Sequence, residues 1–438
     1  MTQTDAAAGA PAPRSTLIDK KVIDTCVHCG FCLPSCPTYI SWSEEMDSPR
    51  GRIYLMSSLV SGKEPLSDTV VRHFDQCLGC MACVTACPSG VRYDQLIEET
   101  RAEVEAKHKR TLADRLFRGF IFSLFPYPGR LRVAVFFQLV YVKLGLRWLF
   151  HKLGLVKLGG ARLENLEALM PDISVAQLAA VLPEHAAAQG PKRLRVALLA
   201  GCVQRVYFPG VNQATVRVLT AEGCEVVVPK DLGCCGALSV HAGRDHEARG
   251  FARAAISALE RAQVDAVVVN AAGCGSSMKE WGRLLADDAA WAERAAAMEK
   301  KVKDVNELLV SLGPVAPRHP MRVKVAYHDA CHLAHAQKIR AQPRALLAAI
   351  PELQLTEIEA ADQCCGSAGI YNLVEPASAR QIGLRKVDNI LAAAPELLVT
   401  ANPGCMLQIQ RLLRERGQSL RMAHPIEVID ASIRGASL

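Results

Sequence analysis

From residue 191 to the C-terminus, short apolar runs rich in β-branched residues alternate with amphipathic stretches. The runs are Arg195 to Ala200, Glu225 to Pro229, Asp265 to Asn270, Arg322 to Tyr327, Gln354 to Glu359 and Glu396 to Thr400. Between them lie stretches with the three-to-four-residue apolar spacing of helices, such as Arg244 to Arg261 and Ala377 to Ala393. Strands alternating with helices predict parallel α/β sheets. Each run ends close to a cysteine. Cys202, Cys234, Cys235 and Cys274 recur 129 to 131 residues later as Cys331, Cys364, Cys365 and Cys405, so one unit occurs twice. In a parallel sheet, sites form beyond the carboxyl ends of the strands, where these cysteines fall.

Cysteine spacing divides the rest of the chain. The expected regions are a disordered tail over 1–15, a cysteine-rich helical domain over 16–105, a cysteine-free basic helical linker over 106–190, and repeats over 191–315 and 316–438. At 438 residues, half of them apolar, the chain is long enough for several buried cores. Seventeen cysteines without a secretory apolar segment argue against a disulfide framework and for metal. A net charge of +7 and 23 aromatic residues, without basic and aromatic side chains interleaved along a strip, point away from nucleic acid.

The N-terminal cysteines carry the most specific signal. Cys26, Cys29, Cys32 and Cys36 before Pro37, and Cys77, Cys80, Cys83 and Cys87 before Pro88, both fit C-x2-C-x2-C-x3-C-P. Three thiolates spaced three residues apart can wrap one cubane, while the fourth, before proline, serves the other. Two [4Fe–4S] clusters are therefore expected, one on Cys26, Cys29, Cys32 and Cys87 and one on Cys77, Cys80, Cys83 and Cys36. Two tetrahedral zinc sites are the competing reading. Gly30, Gly79 and Gly90 either bring backbone N–H groups to sulfur or simply turn the chain. Arg50 and Arg52 either raise a cluster's potential or lie on the surface, and His28 reads as solvated or hydrogen-bonding.

In the repeats, four thiols per unit can hold a further Fe–S cluster or zinc, or remain buried free thiols: Cys202, Cys234, Cys235 and Cys274, and Cys331, Cys364, Cys365 and Cys405. Cys224 has no counterpart and reads as a packed core thiol. His328 and His332 are four apart and could share a metal on a helix face, but the first unit has no matching histidines, so they and His335 are expected to be surface or core residues. Residues 114–158 interleave aromatic and aliphatic runs with Arg and Lys. Uncharged runs such as Val133 to Val142 fall far short of the roughly 20 residues that span a bilayer. Such a segment suits a membrane surface, a partner subunit or a buried packing helix. No Gly-rich phosphate loop and no Ser/His/Asp arrangement is evident, so no catalytic residue and no flavin or nucleotide site is assigned.

From about residue 16 the chain resembles the iron–sulfur subunits of bacterial glycolate oxidase (glycolate dehydrogenase). The resemblance rests on Cys26-Val-His-Cys-Gly-Phe-Cys32, Asp47-Ser-Pro-Arg-Gly-Arg-Ile-Tyr-Leu55, Cys83 through Tyr93, Cys364-Cys-Gly-Ser-Ala-Gly369 and Thr400-Ala-Asn-Pro-Gly-Cys405. It implies an α-helical dicluster ferredoxin-like domain followed by a duplicated α/β cysteine-rich domain. It further implies a flavin subunit that oxidises glycolate to glyoxylate, a second flavoprotein-like subunit, FAD on those partners only, and a quinone or other acceptor. The location implied is cytoplasmic, peripheral on the inner face of the membrane. Subunits of related 2-hydroxy-acid and glycerol-3-phosphate dehydrogenases, and the catalytic cysteine-rich subunit of heterodisulfide reductase, share parts of the pattern. The last element of the heterodisulfide reductase pattern, C-x2-C, reads Cys274-Gly-Ser-Ser277 and Cys405-Met-Leu-Gln408 here, which argues against disulfide-reducing catalysis.

Overall fold

The computed structural model describes residues 18–438; the expected tail over 1–15 lies outside them. Residues 20–107 form short helices around the thiol loops, the longest being Pro49–Val60 and Tyr93–Lys107. Pro49 opens the first of these, and the Ser48 hydroxyl accepts the Gly51 N–H at 2.9 Å, an N-cap that fixes where it starts. Gly51 must be glycine, because a Cβ there would lie 2.0 Å from the Glu45 carbonyl. Met56, Phe74, Leu96 and Ile97 are fully buried and hold the helices together.

The strands are β1 (His185–Ala186), β2 (Leu194–Leu199), β3 (Cys224–Val227), β4 (Ala266–Val269), β5 (Val302–Asp304), β6 (Val323–His328), β7 (Leu353–Thr356), β8 (Leu397–Thr400) and β9 (Arg421–Ala423). They make two sheets, ordered β1-β3-β2-β4-β5 and β7-β6-β8-β9. All pairings are parallel except the β1–β3 edge. Apart from β1, the two orders are the same, so the duplication is structural. The six longer strands lie within a few residues of the expected runs. Each unit also has a fourth strand, β5 or β9, which at three residues is too short to show a period.

A shared core joins the units. Val196, Leu198 and Val268 from the first sheet and Val325, Tyr327 and Val399 from the second bury into one cluster, across helices Pro209–Ala221 and Pro425–Arg434. Arg217 and Asp430 form a two-pronged ion pair at 2.7 and 2.9 Å across that contact. The outer faces have separate cores, around Trp281 and Ile256 in one unit and Ile390 and Leu412 in the other.

The linker is helical, and helices Leu112–Leu124 and Pro128–Lys143 meet at 104°. Pro126 and Pro128 sit at the corner, where the missing N–H groups and fixed φ end one helix and start the next. Leu131 and Val135 pack on Val206 of the first unit, while Ile121, Phe122 and Leu169 pack on Ile370, Leu373 and Val374 of the second. No single helix among the described residues is long and apolar enough to cross a membrane.

Candidate electron-transfer site

Cys26, Cys29, Cys32 and Cys87 line one small cavity together with Arg50, Tyr93 and Cys83, which lies between this cavity and the next and lines both. Cys36, Cys77, Cys80 and Cys83 line the next, beside Arg52 and Thr38. The local cause is visible at the fourth cysteines. Cys36 (φ −89°, ψ 115°) and Cys87 (φ −82°, ψ 114°) share the extended conformation that a following proline demands, which sends each side chain away from its own loop. Four thiols facing one cavity are a chemically fitting donor set for a cubane cluster.

The second of these cavities has a cationic frame. Arg52, which is 1% exposed, donates to the His73 carbonyl at 2.6 Å and to the Asp47 carboxylate at 3.1 Å, so it is no surface arginine. Burial opposes ionisation of Cys77, but the Arg52 and Arg101 guanidiniums, the Tyr93 hydroxyl at 3.5 Å and the Gly79 N–H at 3.3 Å hold its thiol below the ordinary range. Burial and neighbouring thiols push Cys80 and Cys83 the other way. In the first cavity burial pushes Cys32 up to about 11. Arg50 is partly exposed, paired with Glu45 at 2.8 Å, and reaches the His28 carbonyl at 3.3 Å; the His28 side chain is exposed. Of the three glycines, Gly79 reaches a sulfur. A Cβ on Gly30 would meet the Arg50 guanidinium at 3.0 Å, and Gly90 (φ +66°) has nothing nearby and serves the turn.

The paired-cysteine turns of both repeats open into a single cavity of about 200 Å³, lined by all eight repeat cysteines. The thiols of each repeat lie at the carboxyl edge of its sheet, as the strand pattern predicts, and the two edges face one another across this cavity. Linker residues Phe125, Leu166, Leu169 and Met170 also line it. Cys202 and Cys234 are 3.9 Å apart, and Cys331 and Cys364 4.0 Å. Gly236 and Gly366, at φ +86° and +85°, end the two cysteine pairs; a Cβ on Gly366 would strike the Ala379 carbonyl at 2.5 Å. Cys224 is fully buried in the shared core, away from the cavity.

The N-terminal and repeat thiols are contiguous. Leu78 and Cys80 pack in the same apolar cluster as Cys331 and Cys364. His241 bridges the gap, bonding the Leu78 carbonyl at 3.0 Å with its ring 6.0 Å from that of His332, and His332 reaches the Cys331 sulfur at 3.6 Å. Arg101 completes this belt through the Cys77 carbonyl at 2.6 Å. Sequence reasoning missed Arg101 and His241. Neither lies in a motif, and only their positive-φ neighbour Gly79, whose missing side chain admits both, signals them.

The histidines near Cys331 separate. His328 ends strand β6, so the helical i, i+4 argument for a shared metal with His332 fails. His328 and His335 are buried and His332 is half-buried, so none of them is a plain surface residue. His335 bonds Thr85 at 3.0 Å and the Asp362 carbonyl at 3.1 Å, while His328 lies with Cys365 and Cys405.

A 4Fe-4S dicluster domain profile matches residues 22–91, and a cysteine-rich domain profile matches 196–279 and 325–410. With the geometry, these define an iron–sulfur electron-transfer protein with a helical dicluster domain and a duplicated α/β cysteine-rich domain. A profile for the linker region of the glycolate oxidase iron-sulfur subunit matches residues 113–170. The probable glycolate oxidase iron-sulfur subunit of Bacillus subtilis (strain 168) is 39% identical over 94% of both chains, and the glycolate oxidase iron-sulfur subunit of Escherichia coli (strain K12) is 35% identical, also over 94% of both. Lactate utilization protein A of an Exiguobacterium species is 30% identical over 55% of this chain and 99% of its own. The chain belongs to the glycolate oxidase iron–sulfur subunit family, and as such is an electron-transferring subunit of an oxidoreductase complex.

Proposed function

We propose that the chain relays single electrons from a flavin-bearing subunit that oxidises glycolate to glyoxylate toward a quinone or other acceptor. The ligand sets are Cys26, Cys29, Cys32 and Cys87 for one [4Fe–4S] cluster and Cys77, Cys80, Cys83 and Cys36 for the other, and the observation that carries this is the arrangement of each set around its own cavity. Such clusters supply one-electron steps between a two-electron flavin donor and the acceptor. The entry side is the first cavity, where Cys29 is exposed and Val27 and Phe31 present apolar surface for a docked flavoprotein. The protein's own residues set direction beyond it: Arg52, Arg101 and the Gly79 N–H surround the second site, and Cys80 abuts the repeats.

In the glycolate-oxidising complex, Cys29→Ser is expected to abolish glycolate-dependent dye reduction. Full activity in that variant refutes the relay. A second reading, thiol chemistry within the repeats, is favoured by the convergence of eight thiols on one cavity. A Cys235→Ser/Cys365→Ser double variant with undiminished electron transfer removes it.

The linker supports a location on the inner face of the cytoplasmic membrane. Val133, Phe136, Phe137, Trp148, Leu153 and Leu158 are exposed, and Arg130, Arg132, Lys143, Lys152 and Lys157 lie among them on the surface. Apolar side chains interleaved with cations fit an anionic bilayer surface. Co-flotation of the chain with phosphatidylglycerol vesicles, lost in Phe136→Asp/Phe137→Asp, is the expected result; no flotation at low salt contradicts it.

A further inference from the structure

The two repeats match at all four cysteines and differ three residues before the first of them. His328 is the last residue of β6, and its counterpart at the end of β2 is Leu199. Leu199 packs with Val267 and Val269 in the outer core of the first unit, which is what an inward position at a strand end usually does. His328 is fully buried, and its ring nitrogens meet no oxygen or nitrogen partner; the polar group that comes near it is the Cys365 thiol. The residue across the β6–β8 ladder, Thr400, also has a buried hydroxyl without a partner. Buried imidazoles are normally satisfied at one nitrogen at least, since an unpaired polar atom in an apolar interior is costly.

One ring nitrogen of His328 and the sulfurs of Cys365 and Cys405 all lie within 4.8 Å of one another. Metal–nitrogen and metal–sulfur bonds of about 2.0 and 2.3 Å in a tetrahedral centre put donors roughly 3.5–3.8 Å apart, a separation that this limit admits. Asn402 donates to the Cys405 sulfur at 3.4 Å, the type of outer contact that orients a ligating thiolate. Cys331 and Cys364 line the same cavity and can complete the coordination.

We propose that His328 is the nitrogen ligand of a thiophilic metal centre, iron or zinc, held with Cys365 and Cys405 in the second repeat alone. The position supplies a donor in a repeat that lacks the second cysteine of a C-x2-C element, and it makes the duplicated sites chemically unequal: one mixed nitrogen–sulfur site and one with sulfur only. The inference extends the metal reading of the repeats and is independent of the N-terminal ligand sets.

The test uses the full-length chain purified anaerobically, with iron, zinc and sulfide counted and first-shell scatterers read by X-ray absorption at both metal edges. His328→Leu is expected to lose one nitrogen scatterer at the iron or the zinc edge, and with zinc about one equivalent of metal, while the N-terminal cluster iron stays constant and reports folding. If the centre contains iron, pulsed EPR of the wild type shows a histidine nitrogen coupling that His328→Leu abolishes; if zinc, the change is confined to the zinc edge. His328→Cys should restore metal with sulfur in place of nitrogen. Unchanged metal content and an unchanged first shell in His328→Leu overturn the proposal, whereas absence of N-terminal iron from the wild-type chain would count against the relay reading instead.

Discussion

The two cysteine-rich repeats share strand order, turn positions and four cysteines, yet they stand in different surroundings. Cys331 and Cys364 of the second repeat share an apolar cluster with Leu78 and Cys80, whereas in the first repeat Val203 and Tyr207, just beyond Cys202, pack against the linker. The difference teaches that duplication fixes where thiols converge, while the neighbouring domain decides which copy stands beside the N-terminal thiols.

The largest expected effect tests that asymmetry. Cys331→Ser/Cys364→Ser should cut electron transfer through the complex by about 10- to 100-fold, the range for disturbing a ligand environment, and Cys202→Ser/Cys234→Ser should cut it far less. Steady-state dye reduction and acceptor reduction, measured side by side, decide it; equal losses would erase the distinction.

A second contrast lies in the helix caps that close each unit. Asp304 caps Val305–Leu312 in the first, and His424 caps Pro425–Arg434 in the second, both within reciprocal capping boxes. Burial pushes Asp304 up to about 6, against the opposing hydrogen bonds from Asn306. Its contribution to stability is therefore full below about pH 4 and is lost as pH rises through 6. Burial holds His424 down to about 3, so its contribution is full above about pH 6.5 and is lost as pH falls. Denaturation midpoints should lose their fall between about pH 4 and 6 in Asp304→Asn, and their fall from about pH 6.5 down to 3 in His424→Asn, by a few kcal/mol at most. Profiles that do not move would discount the burial argument.

Arg217→Ala removes one side of the ion pair that clasps the two units. Because Arg434 also reaches Asp430, at 3.1 Å, the expected cost is only about 1–2 kcal/mol in chemical denaturation. The smallest change is Tyr93→Phe, which removes a hydroxyl 3.5 Å from the Cys77 sulfur. Losing one such hydrogen bond, worth about 1 kcal/mol, should lower the potential of the second N-terminal cluster by about 40 mV in a redox titration.

Much of the architecture was legible in the sequence because it repeats. Six strands ending at recurring cysteines announce a duplicated parallel sheet, and two C-P motifs announce paired thiol loops. What was not legible depends on how surfaces meet. The merging of two four-thiol edges into one cavity follows from Tyr327, Val399 and their partners burying a common core, which no local spacing encodes. Arg52 sits in a polar Ser-Pro-Arg-Gly-Arg stretch and is buried only because the His73 carbonyl and Asp47 meet it. His328 stands in the sequence as a metal candidate with His332, yet comparison between repeats, which favours what recurs, sets it aside because its counterpart is Leu199.

Reduced-state EPR with iron and sulfide quantification on the anaerobically purified chain tests the central claim most directly. Crossed ligation by Cys36 and Cys87, as proposed, would place two [4Fe–4S] clusters side by side, so the expected result is at least about eight irons per chain and two mutually broadened, spin-coupled signals. A single uncoupled signal, or zinc in place of iron at the N-terminal cysteines, would contradict it.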